Sequence, residues 1–153
     1  MTENMSEVLR MTRHFNVPPA RVFNAWVDPA IVSLWLFTSK ESEFNKTDID
    51  ARPGGKWSIR DRRAGTDYTG SGEYLEVDPP RRLVFTFGML QFSPNYDVIT
   101  VELAEEEGGA RMTFIQEGTG IADELKKVPV GEKSGSEEGW NLMFIALADA
   151  MKK

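Results

Sequence analysis

Seven rings recur at positions that strand and helix periodicity turn toward one side: Trp35, Trp57, Phe85, Phe87, Phe114, Trp140 and Phe144. Aromatic side chains gathered in this way can line a cavity for an apolar or aromatic small molecule. Met89, Met112 and Met143 would let such a cavity repack around different shapes. Packing in a plain core is the commoner use of each of these residues. Tyr68 adds a hydroxyl that could orient the polar end of a ligand, and Tyr74, Glu73 and Gln116 are candidates for the same task.

Groups for covalent or metal chemistry are scarce. With Cys 0, a disulfide, a thiolate nucleophile, an iron–sulfur cluster and a thiolate zinc site are excluded. His14 is the only histidine, which excludes a multi-histidine metal site. It falls opposite the apolar phase of its strand, so a surface role is expected for it rather than general acid–base work. Gly70-Ser71-Gly72 lacks the third glycine of a dinucleotide fingerprint, and Gly54-Gly55-Lys56 lacks the spacing of a phosphate loop. No catalytic residue, no metal and no cofactor is assigned.

The elements that must position the rings follow from the same pattern. Leu9, Met11 and Phe15 share one phase of a strand over 7–15. Pro18-Pro19 opens a short helix carrying Val22, Phe23, Trp26 and Val27, and Asp28-Pro29 caps a second carrying Ile31, Val32, Leu34, Trp35 and Leu36. From about Glu43 to Glu117 short β-prone runs alternate with turn residues, the pattern of an antiparallel sheet. Six strands are expected there, over 44–49, 56–61, 68–77, 82–87, 98–103 and 110–117. Ala64-Gly65-Thr66 and Glu107-Gly108-Gly109 read as hairpin turns. In the run over 68–77 either Gly72 and Tyr74 or Glu73 and Leu75 point inward. Arg60-Asp61-Arg62-Arg63 reads as a solvated edge that discourages pairing between sheets, and Glu105-Glu106-Glu107 as a solvated hairpin tip.

The stretch Gly118 to Gly139 is either a small helix or a lid. It leads to the strongest helical signal, 140–151, where Trp140, Met143, Phe144, Leu147, Ala148 and Met151 make one stripe that Leu142 and Ile145 widen. A helix so apolar is expected to be largely covered. The fold class is therefore α+β: a seven-stranded antiparallel sheet wrapped around a long C-terminal helix, with two short helices between the first two strands. Residues 1–153 are taken as one domain.

That order of elements resembles the helix-grip fold of the START-like (SRPBCC) superfamily, which includes the birch-pollen allergen. Four motifs resemble the branch named for the activator of the heat-shock-protein ATPase (AHSA-like): Phe15-Asn-Val-Pro-Pro-Ala-Arg-Val-Phe-Asn-Ala-Trp-Val-Asp-Pro29, Arg52-Pro-Gly-Gly-Lys-Trp-Ser-Ile59, Gly72-Glu-Tyr-Leu-Glu-Val-Asp-Pro-Pro-Arg-Arg-Leu-Val-Phe-Thr-Phe87 and Gly139-Trp140. The resemblance implies a cavity between the long helix and the concave sheet that holds an apolar small molecule. Related branches also include enzymes and proteins that act on protein partners. Cochaperones of this kind carry a further N-terminal domain, so a small-molecule role is expected ahead of a chaperone-accessory one.

Charge narrows the partners. The 18 Lys+Arg against 24 Asp+Glu give a net charge of -6, which repels the nucleic-acid backbone and anionic lipid. No nucleic-acid or membrane partner is expected, and a homodimer is compatible with the sequence. The first residues lack the basic-then-apolar pattern of a secretion signal, and a cytoplasmic location is expected.

Overall fold

The computed structural model describes residues 8–37, 42–89, 94–129 and 131–152. β1 (Leu9–Phe15) is followed by α1 (Pro19–Val27) and α2 (Pro29–Trp35). Both helices start where proline loses nothing by lacking an N–H, and the Asp28 carboxylate accepts the Ala30 N–H at 3.0 Å to cap α2. Six strands follow: β2 (Phe44–Ile49), β3 (Lys56–Arg63), β4 (Thr66–Asp78), β5 (Arg82–Phe87), β6 (Asp97–Glu106) and β7 (Gly109–Glu117). α3 (Thr119–Lys126) and α4 (Gly135–Ala150) complete the chain.

All seven strands form one antiparallel sheet in the order β1-β7-β6-β5-β4-β3-β2. The inward phase carries Leu9, Met11 and Phe15 on β1, Trp57 and Ile59 on β3, Leu83 and Phe85 on β5, Ile99, Val101 and Leu103 on β6, and Met112, Phe114 and Gln116 on β7, all buried. These side chains and the buried face of α4, Trp140, Phe144 and Leu147, make one core with α1 and α2. On β4 it is Gly72 and Tyr74 that face inward, leaving Leu75 49% exposed; a bulge between Tyr74 and Glu76 follows.

The β3–β4 and β6–β7 hairpins turn on two residues, with φ of +52° and +78° at Ala64-Gly65 and +48° and +80° at Glu107-Gly108. Positive φ at both turn positions matches the right-handed twist of the strands. Thr66, expected in the turn, already belongs to β4. The expected solvated edge at Arg60 to Arg63 is corrected: β3 is paired on both sides, by β2 and β4, and Asp61 is fully buried. The charges alternate across the sheet, so a contiguous charged run splits between its two faces.

α4 begins five residues before Trp140, because Ser134 accepts the Glu137 N–H at 3.0 Å and fixes its start there. It is expected to be largely covered, and its cover is one-sided: Trp140, Phe144, Leu147 and Ala150 are buried, whereas Leu142 and Ile145 are 67% and 59% exposed. Of the stretch 118–139, the first part is α3, tied to α4 where the Glu124 carboxylate accepts both the N–H and the hydroxyl of Ser136 at 2.8 Å. Among the described residues, no helix is long and apolar enough to cross a membrane.

Candidate functional site

The rings expected to line a cavity fall into two groups. Trp35, Phe85, Phe114, Trp140 and Phe144 are buried and pack on one another and on Trp26 of α1. Trp26 and Trp35 meet edge to face at 4.7 Å, and Phe114 lies 4.5 Å from Trp140. The Trp35 indole N–H donates to the Ala25 carbonyl at 2.9 Å, which locks the turn between α1 and α2. Offset and edge-on contacts of this kind make a rigid core.

Trp57 and Phe87 lie in the second group with Phe37, which sequence reasoning missed because it follows the last turn of α2. The three rings are nearly parallel: Phe37 is 5.1 Å and 9° from Phe87 and 6.3 Å and 8° from Trp57, while Trp57 and Phe87 are 6.3 Å and 13° apart. Trp140 stands edge-on to Phe37 at 5.5 Å and joins the two groups. A positive φ of 53° was the only local sign that Phe37 is special, and a sequence does not display it.

The sheet itself makes the room in which these rings sit. Gly70 is on the inward phase of β4, and a Cβ there would stand 3.6 Å from Phe37 and 3.7 Å from Phe87. Gly72 makes a different allowance. A Cβ there would collide with the Thr86 carbonyl and approach Trp57 Nε1 at 2.7 Å. That space is used by the Trp57 indole N–H, which donates to the Thr86 carbonyl at 3.0 Å, while the Glu73 N–H turns to the Thr86 hydroxyl at 2.8 Å. Phe37 also donates its backbone N–H to Met143 Sδ of α4 at 3.3 Å.

Toward the β3–β4 hairpin the inner face becomes polar. Tyr68, half-buried opposite Asp61, lies under the Arg63 guanidinium at 4.7 Å. Asp61 accepts hydrogen bonds from Ser42 Oγ at 3.0 Å and Asn45 Nδ2 at 3.2 Å. Arg63 Nε lies 2.7 Å from Asp61 Oδ2, an ion pair whose N–H direction misses the oxygen. Burying a carboxylate costs free energy unless hydrogen bonds and an opposite charge offset it. Tyr74 has the opposite problem: burial, and then the negative charge of Asp50, push its phenol well above the usual range.

The remaining polar candidates have other work. Gln116 accepts the Trp140 indole N–H at 3.0 Å and donates to Asp97 at 2.9 Å, and Asp97 also accepts the N–H groups of Gly120 and Ile121 at 3.1 Å. Gln116 is thus spent on joining α4, β7 and α3 rather than turned to a ligand. Glu73 points outward and pairs with Lys56 at 3.6 Å. His14 is at the surface, 3.2 Å from both Glu106 and Asn16. Met112 is fully buried, whereas Met143 is half-buried beside Phe37. Trp57 additionally borders a cleft of about 650 Å³ on the outer face of the sheet, where Ser58, Ser71 and Tyr96 form its walls.

The family model described as activator of Hsp90 ATPase homolog 1-like protein matches residues 16–152. Among solved structures, protein CV1439 from Chromobacterium violaceum is similar at 26% identity, with 96% of this chain and 98% of that chain covered and a TM-score of 0.78. A protein of unknown function from Staphylococcus aureus, SA2116, is similar at 25% identity over 95% of this chain and 93% of that one, with a TM-score of 0.75. An AHSA1-like protein from Aeromonas hydrophila shares the fold at 16% identity, covering 95% and 92% of the two chains, with a TM-score of 0.73. No curated protein matches.

Proposed function

Since the chain belongs to the family of activator of Hsp90 ATPase homolog 1-like proteins, we propose that it binds a small apolar molecule between α4 and the concave face of the sheet and holds it without covalent change. The observation that carries this reading is a contrast in burial along that face. Trp35, Phe85, Phe114 and Phe144 are buried, but Phe37, Tyr68, Phe87 and Met143 around Gly70 are only partly so. Half-buried apolar groups over a glycine are the part of the interior that can give way to a guest. They leave water-exposed apolar surface for a ligand to cover.

A ligand of ten non-hydrogen atoms at about 0.5 kcal/mol each, within the range of small ligands, gains about 5 kcal/mol. That corresponds to a dissociation constant of about 0.2 mM, and a larger apolar body binds more tightly. Tyr68 and Arg63, next along the inner face, would meet its polar end.

Native mass spectrometry of freshly purified protein, compared with the same sample denatured, tests the reading. A noncovalent passenger lost on denaturation is expected. Gly70→Val fills the space from the sheet side, and it is expected to lower the affinity for an apolar fluorescent probe at least fivefold while the circular dichroism stays unchanged. A bare mass together with equal probe affinity in both proteins would overturn it. A second reading, a protein-interaction surface, draws on exposed Leu142 and Ile145 on α4, and the same spectra would reveal it as a dimer.

A further inference from the structure

We propose that the guest is a flat, unsaturated ring that takes the place of the Phe37 side chain against Phe87 and Trp57, so that Phe37 sets which ligands are admitted. This rests on the binding reading above and adds the ligand's chemical class. In the core next to this site the rings meet at mixed angles, from 20° for Trp26 and Phe114 through 48° for Phe114 and Trp140 to 84° for Trp26 and Trp35. Phe37, Phe87 and Trp57 instead lie within 13° of one another. A flat ring in the place of Phe37 lies parallel to both, as Phe37 does at 5.1 Å from Phe87 and 6.3 Å from Trp57, within the range of offset stacking. A puckered saturated ring pushes its axial hydrogens into the same space.

Phe37 is held there by contacts that are easily exchanged. Its φ of +53° puts a bulky side chain in the left-handed region, where Cβ crowds the backbone. Its N–H has a thioether sulfur as acceptor, at 3.3 Å, and sulfur is a weak one. Its ring is half-buried and rests on Gly70, which offers no side chain to grip it. A ring arriving from solution recovers the stacking that Phe37 gives up, and the backbone is released from the left-handed region. An aliphatic guest recovers the burial but not the stacking.

The test compares 2-naphthol with decahydro-2-naphthol, which has the same carbon skeleton and hydroxyl but is puckered. Both are titrated into wild type, Phe37→Ala and Phe37→Leu, with thermal melts to verify folding. Phe37→Ala is expected to bind 2-naphthol about tenfold more tightly than wild type and to improve the saturated probe less than threefold. Phe37→Leu retains an apolar plug and is expected to keep the preference for the flat probe, which serves if the alanine variant does not fold. Upfield ring-current shifts of the bound naphthol protons are expected from Phe87 and Trp57. Equal gains for the two probes, or a 2-naphthol affinity that does not change with residue 37 while wild type still binds, would overturn the ring proposal and leave the binding reading standing. Failure of every variant to bind either probe, with a bare native mass, would overturn both.

Discussion

Replacing Asp97 by alanine removes one carboxylate that serves three donors on two other elements, β7 and α3. The helix it caps, α3, has Gly118 at its N-cap, which has no side chain to do so, and a Cβ at Gly118 would collide with Asp97 Oδ1. The cap therefore comes from β6, through the N–H groups of Gly120 and Ile121 at 3.1 Å. Losing it costs about 1 kcal/mol. Gln116 Nε2, 2.9 Å from the carboxylate in a site where Asp97 is 7% exposed, is left without an acceptor, which adds about 1–3 kcal/mol. The total is about 3 kcal/mol, read as a shift in urea midpoint by tryptophan fluorescence and as a melting temperature lower by roughly 6–12 °C.

Asp97→Asn keeps one acceptor oxygen against three donors, so its loss should fall between wild type and alanine. Adding Gln116→Leu to Asp97→Ala removes the stranded donor, and the double variant should lose at least ~1 kcal/mol less than the sum of the singles. An alanine variant within ~0.5 kcal/mol of wild type, or strict additivity with Gln116→Leu, would refute the account of Asp97 as the shared acceptor.

Gly72→Ala should destabilise by about 2–4 kcal/mol, because the new methyl collides with the Thr86 carbonyl and forces out the Trp57 indole N–H; the loss of that N–H resonance from its bonded position is the check. Tyr74 is buried neutral, with its phenol raised above the ordinary value of about 10. Its contribution to stability is complete below about pH 10 and declines as pH rises toward the folded value, by about 1.4 kcal/mol per unit, because the unfolded chain ionises first. Tyr74→Phe should remove that part of the alkaline slope in urea melts between pH 9 and 11.5, and parallel profiles for the two proteins would contradict it.

Much of the architecture could be read from the chain because it is written in local periodicity. The alternation of Met112, Phe114 and Gln116, and Asp28-Pro29 ahead of an apolar run, each specify an element without reference to the rest. What escaped depended on neighbours far away in sequence. Asp61 looks like part of a solvated run until β2 and β4 close over it and Ser42 and Asn45 supply donors. Gln116 looks like a free amide until Asp97 and Trp140 take both its ends. Tyr68 lies on the inner face, a phase its strand's pattern left open, and Phe37, which completes the group of parallel rings with Phe87 and Trp57, belongs to no periodic element. Leu142 and Ile145 carry the same apolar signal as Phe144, and only the position of the sheet decides which side of the helix is covered.

The place of β1 at the sheet edge beside β7 bears on how the molecule comes into being. Leu9 finds its partner in Gln116 and Phe15 in Ala110, whereas every other pair of neighbouring strands is joined by a hairpin or a short connection. A chain emerging from the ribosome makes β1 before the other six strands, yet its ladder waits for β7. The meander from β2 to β7 can assemble as it emerges, while the ladder of β1, with Leu9, Met11 and Phe15, forms only once β7 is made. The alternating Arg10, Thr12 and His14 on its other face keep that waiting strand from being apolar on both sides, which suits the strand that precedes the others and pairs after them.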